Sequence, residues 1–535
     1  MSLYTIILIT ALSGGCMLAG RLLFHYFQLE SYQHPGYFRT IKRNFIKAFL
    51  PGLLLNAIWA LASIAFSCRL PTELSGAPSI VVSLVLLISG WLIGRMCQVQ
   101  NAKKPLKFTP RIKRLYIVTF IVLAGLLILL SSLSRHRDKI TVFGWIIWVF
   151  PLLLPVLIAL TGLIAWPGEK LISEMYFRDA QRILKERNDL IRIGITGSWG
   201  KTSVKFILGT ILEEKYHTLV TPSSFNTPMG VTRIIRSSLE PGHKVFIAEM
   251  GARHVGDIKE LCRLVHPHLG ILTSVGPQHL DTFRTVERVA KTKYELIEAI
   301  PENGKCFFAD DDGICRKLFQ QTKKEKYLSG LKPDDDVWAE DISSGPEGSR
   351  FILCTSDTRI PCETRLLGEL NIRNIVLCAS VAFSLGLSAD QISRGIRKIQ
   401  PVEHRLQLIP NTGGITLIDD AFNSNIRGAE QAFKVLSSFN PQRIVITPGM
   451  VELGKMEADM NREFGEMMAS GCDIAILVGK KRSGAIAEGL RKQQFPEQNI
   501  HVTDSLEDAA SLMRTIVRSG DTVLFENDLP DNYTE

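Results

Sequence analysis

The chain has no C-x-x-C pair: its 10 cysteines are scattered over 535 residues. That spacing argues against a zinc ribbon or a disulfide frame and for reduced, mostly buried thiols. A basic stripe interleaved with aromatics is also missing, although Lys and Arg outnumber Asp and Glu by 62 to 53. Nucleic acid is therefore not expected as a partner. Five stretches lack Asp, Glu, Lys and Arg altogether: 1–20, 48–68, 74–94, 115–134 and 140–168. Each is long enough to cross a bilayer, which takes about 20 residues. With no ionisable residue in their middles, they disfavour a transport pathway. The first has no basic n-region and no small-residue cleavage pattern, so a removable signal peptide is not expected.

What is present beside these stretches is positive charge. Arg21, Arg39, Lys42, Arg43 and Lys47 follow the first, and Arg95, Lys103, Lys104, Lys107, Arg111, Lys113 and Arg114 follow the third. The asymmetry predicts an outside N-terminus and a cytoplasmic C-terminal region. Arg135, Arg137 and Lys139 argue mildly the other way. The conflict is settled by the segment downstream, which calls for cytosolic nucleotide.

That segment, 194–203, reads Gly-Ile-Thr-Gly-Ser-Trp-Gly-Lys-Thr-Ser. Its glycines let the backbone curl so that several N–H groups aim at one point. A strand over 191–195 and a helix over 201–215 supply the context of a phosphate loop. Thr196, Gly197, Ser198, Gly200, Lys201, Thr202 and Ser203 are the nucleotide-binding candidates, with Lys201 neutralising β/γ-phosphate charge and Thr202 on Mg²⁺. Ile195 replaces the first glycine of the general spacing, so the loop is a shortened variant.

Apolar strands at 245–248, 269–273 and 305–308 alternate with helical stretches, which predicts a mostly parallel α/β sheet. A second series, with strands near 415–418, 443–446, 474–478 and 522–525, has helices at 429–437, 460–468 and 506–518. The expected organisation is a five-helix transmembrane domain over 1–168, a central P-loop ATPase domain over 169–402 and a Rossmann-like domain over 403–535. A charged amphipathic helix over 169–188 leaves the membrane, and 401–405 is the hinge.

Further segments keep one order along the chain. Ala-Glu-Met-Gly-Ala-Arg-His spans 248–254, Thr-Ser-Val-Gly-Pro-Gln-His-Leu spans 273–280, and Ala-Lys-Thr-Lys-Tyr-Glu spans 290–295. Asn371 and Asn374 follow Gly368, His404-Arg405 stands at the hinge, Asp-Asp-Ala-Phe-Asn-Ser-Asn spans 419–425, and Glu-Leu-Gly spans 452–454. Together with the loop, these resemble the motifs of the Mur ligase family over 191–535, and within it the D-alanyl-D-alanine-adding branch.

The resemblance implies an ATP-dependent carboxylate–amine ligase working through an acyl phosphate in cell-envelope synthesis. It implies two Mg²⁺ ions, one on Thr202 and Glu249, the other on His279 and a Lys293 carbamylated by CO₂. Lys201, Lys293, His279 and Arg405 are then the catalytic candidates. Asn371, Asn374, Arg405 and Asp420 join the loop as nucleotide-binding candidates, while Arg253 and His254 are weaker ones. A bacterial inner-membrane location follows, with other envelope-synthesis proteins as possible partners.

Several positions depart from the family pattern. Leu370 stands where the family has histidine, Phe308 where it has an adenine-side asparagine, and Ile426 where it usually has proline. Phe-Glu-Asn-Asp at 525–528 replaces a K-G-S segment, and the uncharged stretches replace the domain that docks a UDP-sugar. The expected acceptor is therefore a membrane lipid-linked precursor, and the amine donor an amino acid or dipeptide. Two alternatives stay open: a poly-γ-glutamate-type synthase, and a non-catalytic nucleotide-binding membrane scaffold.

Overall fold

A computed structural model describes the chain except residues 1–2, 68–76, 99–104, 135–149, 223–224, 311–312, 346, 410–413, 422–425, 440–441, 452, 454–455 and 528–535. It divides into two compact units, Met1–Glu174 and Met175–Leu529.

In the first unit, helices run over Leu3–Ala19, Arg21–Leu29, His34–Arg43, Phe45–Ser67, Ala77–Met96 and Pro110–Ser134. Leu3–Ala19 and Ala77–Met96 meet backbone to backbone. A Cβ on Gly90 would lie 2.4 Å from the Gly15 carbonyl oxygen, a close approach that only small residues allow. Among the described residues two helical stretches are long and apolar enough to cross a membrane, Pro110–Leu130 and Phe150–Lys185. The number reaches four if Ile6–Ala19 with Arg21–Leu29, bent by 50°, and His34–Arg43 with Phe45–Leu61, bent by 84°, each make one span. The first expected stretch is the single helix Leu3–Ala19, with the bend at its end, and parts of the second, third and fifth lie outside the described residues. The charged amphipathic helix expected over 169–188 is the second half of one 32-residue helix, Leu154–Lys185, which runs through Pro167 unbroken and ends at Lys185.

The second unit carries two sheets. In the first, β1 (Ile191–Thr196) lies between β3 (Val245–Glu249) and β4 (Leu269–Leu272), all parallel. The order is β2-β3-β1-β4-β5-β6-β7-β8-β9, where β2 is Thr218–Val220, β5 Lys305–Ala309 and β6 Glu325–Gly330. Strands β7 (Val337–Gly345), β8 (Gly348–Cys354) and β9 (Arg359–Thr364) close that edge antiparallel. Parallel strands buried on both faces read as apolar runs, which is why β1, β3 and β4 are legible in the sequence. One face packs on the helices Lys201–Leu212 and Glu369–Ser384 through residues such as Ile193, Ile207 and Ile375. The other packs on Asp257–Val265 and Val286–Ala299 through Phe246, Leu261 and Leu296. Phe177, Ala180 and Leu184, from the end of the long helix, belong to this second core.

The second sheet has the order β10-β11-β15-β12-β13-β14 and is parallel except at β10 (Gln407–Ile409). Its other strands are β11 (Thr416–Asp420), β12 (Arg443–Thr447), β13 (Ile474–Val478), β14 (Ile500–Thr503) and β15 (Thr522–Glu526). The α/β class with two mainly parallel sheets therefore stands as read from the sequence.

Candidate active site

Strand β1 ends at Thr196 and the next helix starts at Lys201, so the glycine loop crosses the carboxyl edge of the sheet. Ligands of open α/β folds bind at such an edge. Gly200 caps the helix at φ +81°, where a side chain is strained, and a Cβ there would lie 3.1 Å from Asn374 Oδ1. The loop is braced by the segment after β4. Ser198 N donates to Ser274 O at 3.0 Å, Trp199 N to Ser274 Oγ at 2.8 Å, and Thr273 Oγ1 to Trp199 O at 2.5 Å. Ser198 Oγ donates to Gly276 O and accepts from Gly276 N at 3.1 and 3.0 Å.

Lys201 Nζ donates to the loop carbonyls of Gly197 and Ser198 at 2.6 and 3.2 Å. Burial brings this lysine down to about 8; Glu249 opposes the shift and Arg405 adds to it. Thr196 is buried, and its hydroxyl donates to Met250 O at 3.0 Å, while Ser203 is buried in the helix.

Glu249, the last residue of β3, sits at the neighbouring strand end. Its Oε2 accepts from Thr202 Oγ1 and from Lys205 Nζ, both at 3.0 Å, and its Oε1 from Asn226 Nδ2 at 3.0 Å. Its own N–H donates to Thr221 Oγ1 at 3.2 Å. Burial favours the neutral acid, but Lys205 and Lys201 outweigh it and hold the group below the usual carboxylate range. The sequence reading did not single out Lys205, Asn226 or Thr221. Lys205 had a signal: a lysine one turn after Lys201, flanked by the core residues Val204, Ile207 and Leu208. Asn226 and Thr221 lie in a connection with no apolar period to mark it.

Lys293 lies on the helix Val286–Ala299 between Val289 and Leu296 and is 1% exposed. Among the described residues its ammonium makes no hydrogen bond. Burial drives it well below the ordinary lysine value; Lys201 adds to the shift, and Asp257 and Glu249 oppose it. His279, at φ +49°, precedes the short helix Leu280–Phe283 and is partly exposed. Among the described residues no three His, Cys, Asp or Glu gather as a metal cage. Hard oxygen donors for Mg²⁺ do meet at the Thr202–Glu249 contact. Burial disfavours the charged ammonium, and the uncharged amine is the form that reacts with CO₂, so Lys293 fits a carbamate.

Arg405 stands between His404 (φ +59°) and Leu406 (φ +44°). His404 Nδ1 pairs with Asp419 Oδ2 at 2.6 Å, and Leu406 N donates to Asp420 Oδ1 at 3.1 Å. Burial lowers Arg405, while Asp420, Glu249 and Glu526 hold its charge, so the hinge arginine feels carboxylates of both sheets. Asp420 is raised to about 6 by burial, against the pull of Arg405. Asn371 Nδ2 donates to Leu367 O, just ahead of the helix Glu369–Ser384, at 2.9 Å. Arg253 and His254 are exposed, and their N–H groups donate to Asp257 Oδ2, both at 2.8 Å. Phe308 is fully buried in the core. Phe422, Asn423, Ser424, Asn425, Glu452, Gly454 and Asp528 lie outside the described residues.

Residues 195–382 match the Mur ligase middle domain, and 404–526 match the Mur ligase glutamate ligase domain. The UDP-N-acetylmuramoyl-tripeptide–D-alanyl-D-alanine ligase of Bacillus subtilis (strain 168) is 25% identical over 339 residues, covering 62% of this chain and 72% of its own. Its counterpart in Mycobacterium bovis (strain ATCC BAA-935 / AF2122/97) is 29% identical over 356 residues, covering 62% and 69%. The MurF ligase from Thermotoga maritima in complex with ADP shares the fold, with a TM-score of 0.60, 24% identity and coverage of 66% and 80%. From the glycine loop to β15, the two sheets are thus the catalytic pair of Mur domains, and the chain belongs to the Mur ligase family of ATP-dependent ligases.

Proposed function

We propose that this ligase activates the terminal carboxylate of a lipid-linked cell-envelope precursor with ATP and joins it to the amine of an amino acid or dipeptide. A single observation carries the reading: Lys293, buried and without a hydrogen bond among the described residues, stands within the electrostatic reach of Lys201 and Glu249. Burying an ammonium in a packed interior is costly, and a role in the site accounts for the cost. The nucleotide takes the loop of Gly197, Ser198 and Gly200, whose N–H groups and helix N-terminus attract phosphate. Lys201 exchanges its loop carbonyls for phosphate oxygens.

Thr202 with Glu249, and His279 with a carbamylated Lys293, would hold two Mg²⁺ ions, which would supply screening of phosphate charge against the attacking carboxylate. Arg405 and Asp420 contact the nucleotide from the hinge side, and Asn374 borders the loop at Gly200. The acceptor carboxylate attacks the γ-phosphorus and ADP leaves. The amine then adds to the acyl phosphate, loses a proton and expels phosphate, giving the amide.

The uncharged stretches anchor the chain in the bacterial inner membrane with the N-terminus outside and both Mur domains in the cytoplasm. The relatives in Bacillus subtilis and Mycobacterium bovis are named for a UDP-linked tripeptide and D-alanyl-D-alanine. Full-length protein in lipid vesicles should therefore join D-alanyl-D-alanine to a lipid-linked tripeptide at least tenfold faster than to the UDP-linked one. Product mass spectrometry reads both. Equal or faster use of the soluble acceptor contradicts the lipid-linked assignment.

A further inference from the structure

Lys205 is a buried cation that the proposed chemistry does not use. Its side chain is 0% exposed, and its Nζ takes the Glu249 oxygen that Thr202 also contacts. An ammonium so deep needs an opposite charge beside it, and Glu249 Oε2 stands 3.0 Å away. The carboxylate in turn is fixed on three sides, by Lys205 and Thr202 at Oε2 and by Asn226 at Oε1. A divalent cation approaching Glu249 alone would lie beside an ammonium in a poorly screened interior. One arriving on a nucleotide brings the phosphate charge that offsets this repulsion.

We propose that Lys205 makes metal binding at Glu249 conditional on nucleotide, because its ammonium occupies the carboxylate oxygen that Thr202 also contacts. The inference rests on the reading of Glu249 as a metal ligand and adds a requirement that reading does not contain. Mn²⁺ binding to the full-length protein, followed by electron paramagnetic resonance, separates the two. Wild-type protein should bind Mn²⁺ in the presence of ADP and lose at least tenfold in affinity without it. Glu249→Gln should abolish the ADP-dependent signal.

Lys205→Met, which keeps the length of the side chain and removes its charge, should bind Mn²⁺ without ADP at least tenfold more tightly than wild type. Lys205→Arg should retain the dependence on ADP. Should Lys205→Met fail to fold, Lys205→Gln carries the same comparison. Wild type that binds Mn²⁺ equally with and without ADP overturns the inference, as does a Lys205→Met or Lys205→Gln protein with wild-type affinity in ADP-free buffer. ADP-dependent binding unaffected by Glu249→Gln overturns the underlying assignment of Glu249.

Discussion

Lys201→Ala will reduce ligation at least about 10³-fold in kcat/KM, a loss of some 4 kcal/mol of transition-state stabilisation. The ammonium is placed for nothing else. Among the described residues it donates only to carbonyls of its own loop, Gly197 and Ser198, while burial and the nearby Arg405 work against its charge. A lysine kept in that position gains most when phosphate charge arrives. The fold should tolerate the change, because the brace of the loop runs through Ser198, Trp199 and Thr273. Thermal melting within a few degrees of wild type, together with lost turnover, is the expected pair of results. Retained turnover with normal melting would remove Lys201 from the chemistry.

The second large effect belongs to Lys293. Both Lys293→Met and Lys293→Ala should be inactive, but for stability they should differ. Alanine leaves a cavity in a packed site, at a cost of about 2–5 kcal/mol for a long buried side chain, whereas methionine fills it. Activity of the alanine variant should return in part when millimolar formate, acetate or propionate is supplied, because a small carboxylate takes the place of the carbamate oxygens. Wild type should not respond. A folded, nucleotide-binding alanine variant that none of these acids revives would take Lys293 out of the metal site.

The sequence exposes the parts of this molecule that obey a period or a fixed spacing. Strands β1, β3 and β4 are short apolar runs because both faces are covered, and the glycine loop announces the helix after β1. The edge formed by β7, β8 and β9 was not read. Arg-Ile-Pro-Cys-Glu-Thr in β9 alternates exposed and buried residues, a weaker pattern than a continuous run. Glu249, Lys293 and Arg405 were legible through their motifs, but their environment was not. That Lys205 and Asn226 converge on Glu249 depends on the helix Lys201–Leu212 and on the connection after β2, which no local spacing reports. The hydrogen bond from Asn371 Nδ2 to the Leu367 carbonyl was equally illegible, since the motif marks the residue and not its partner. The apolar stretches were legible as composition, but the bends at Gly20 and Asn44 were not, since neither proline nor a charge cluster marks both.

The central claim is that ATP activates a carboxylate by forming an acyl phosphate. It is tested most directly by labelling the two oxygens of the acceptor's terminal carboxylate with ¹⁸O and analysing the phosphate released during ligation. Attack of that carboxylate on the γ-phosphorus predicts one ¹⁸O in each phosphate, with either the lipid-linked or the UDP-linked tripeptide as acceptor. Phosphate released free of label during amide formation would contradict it.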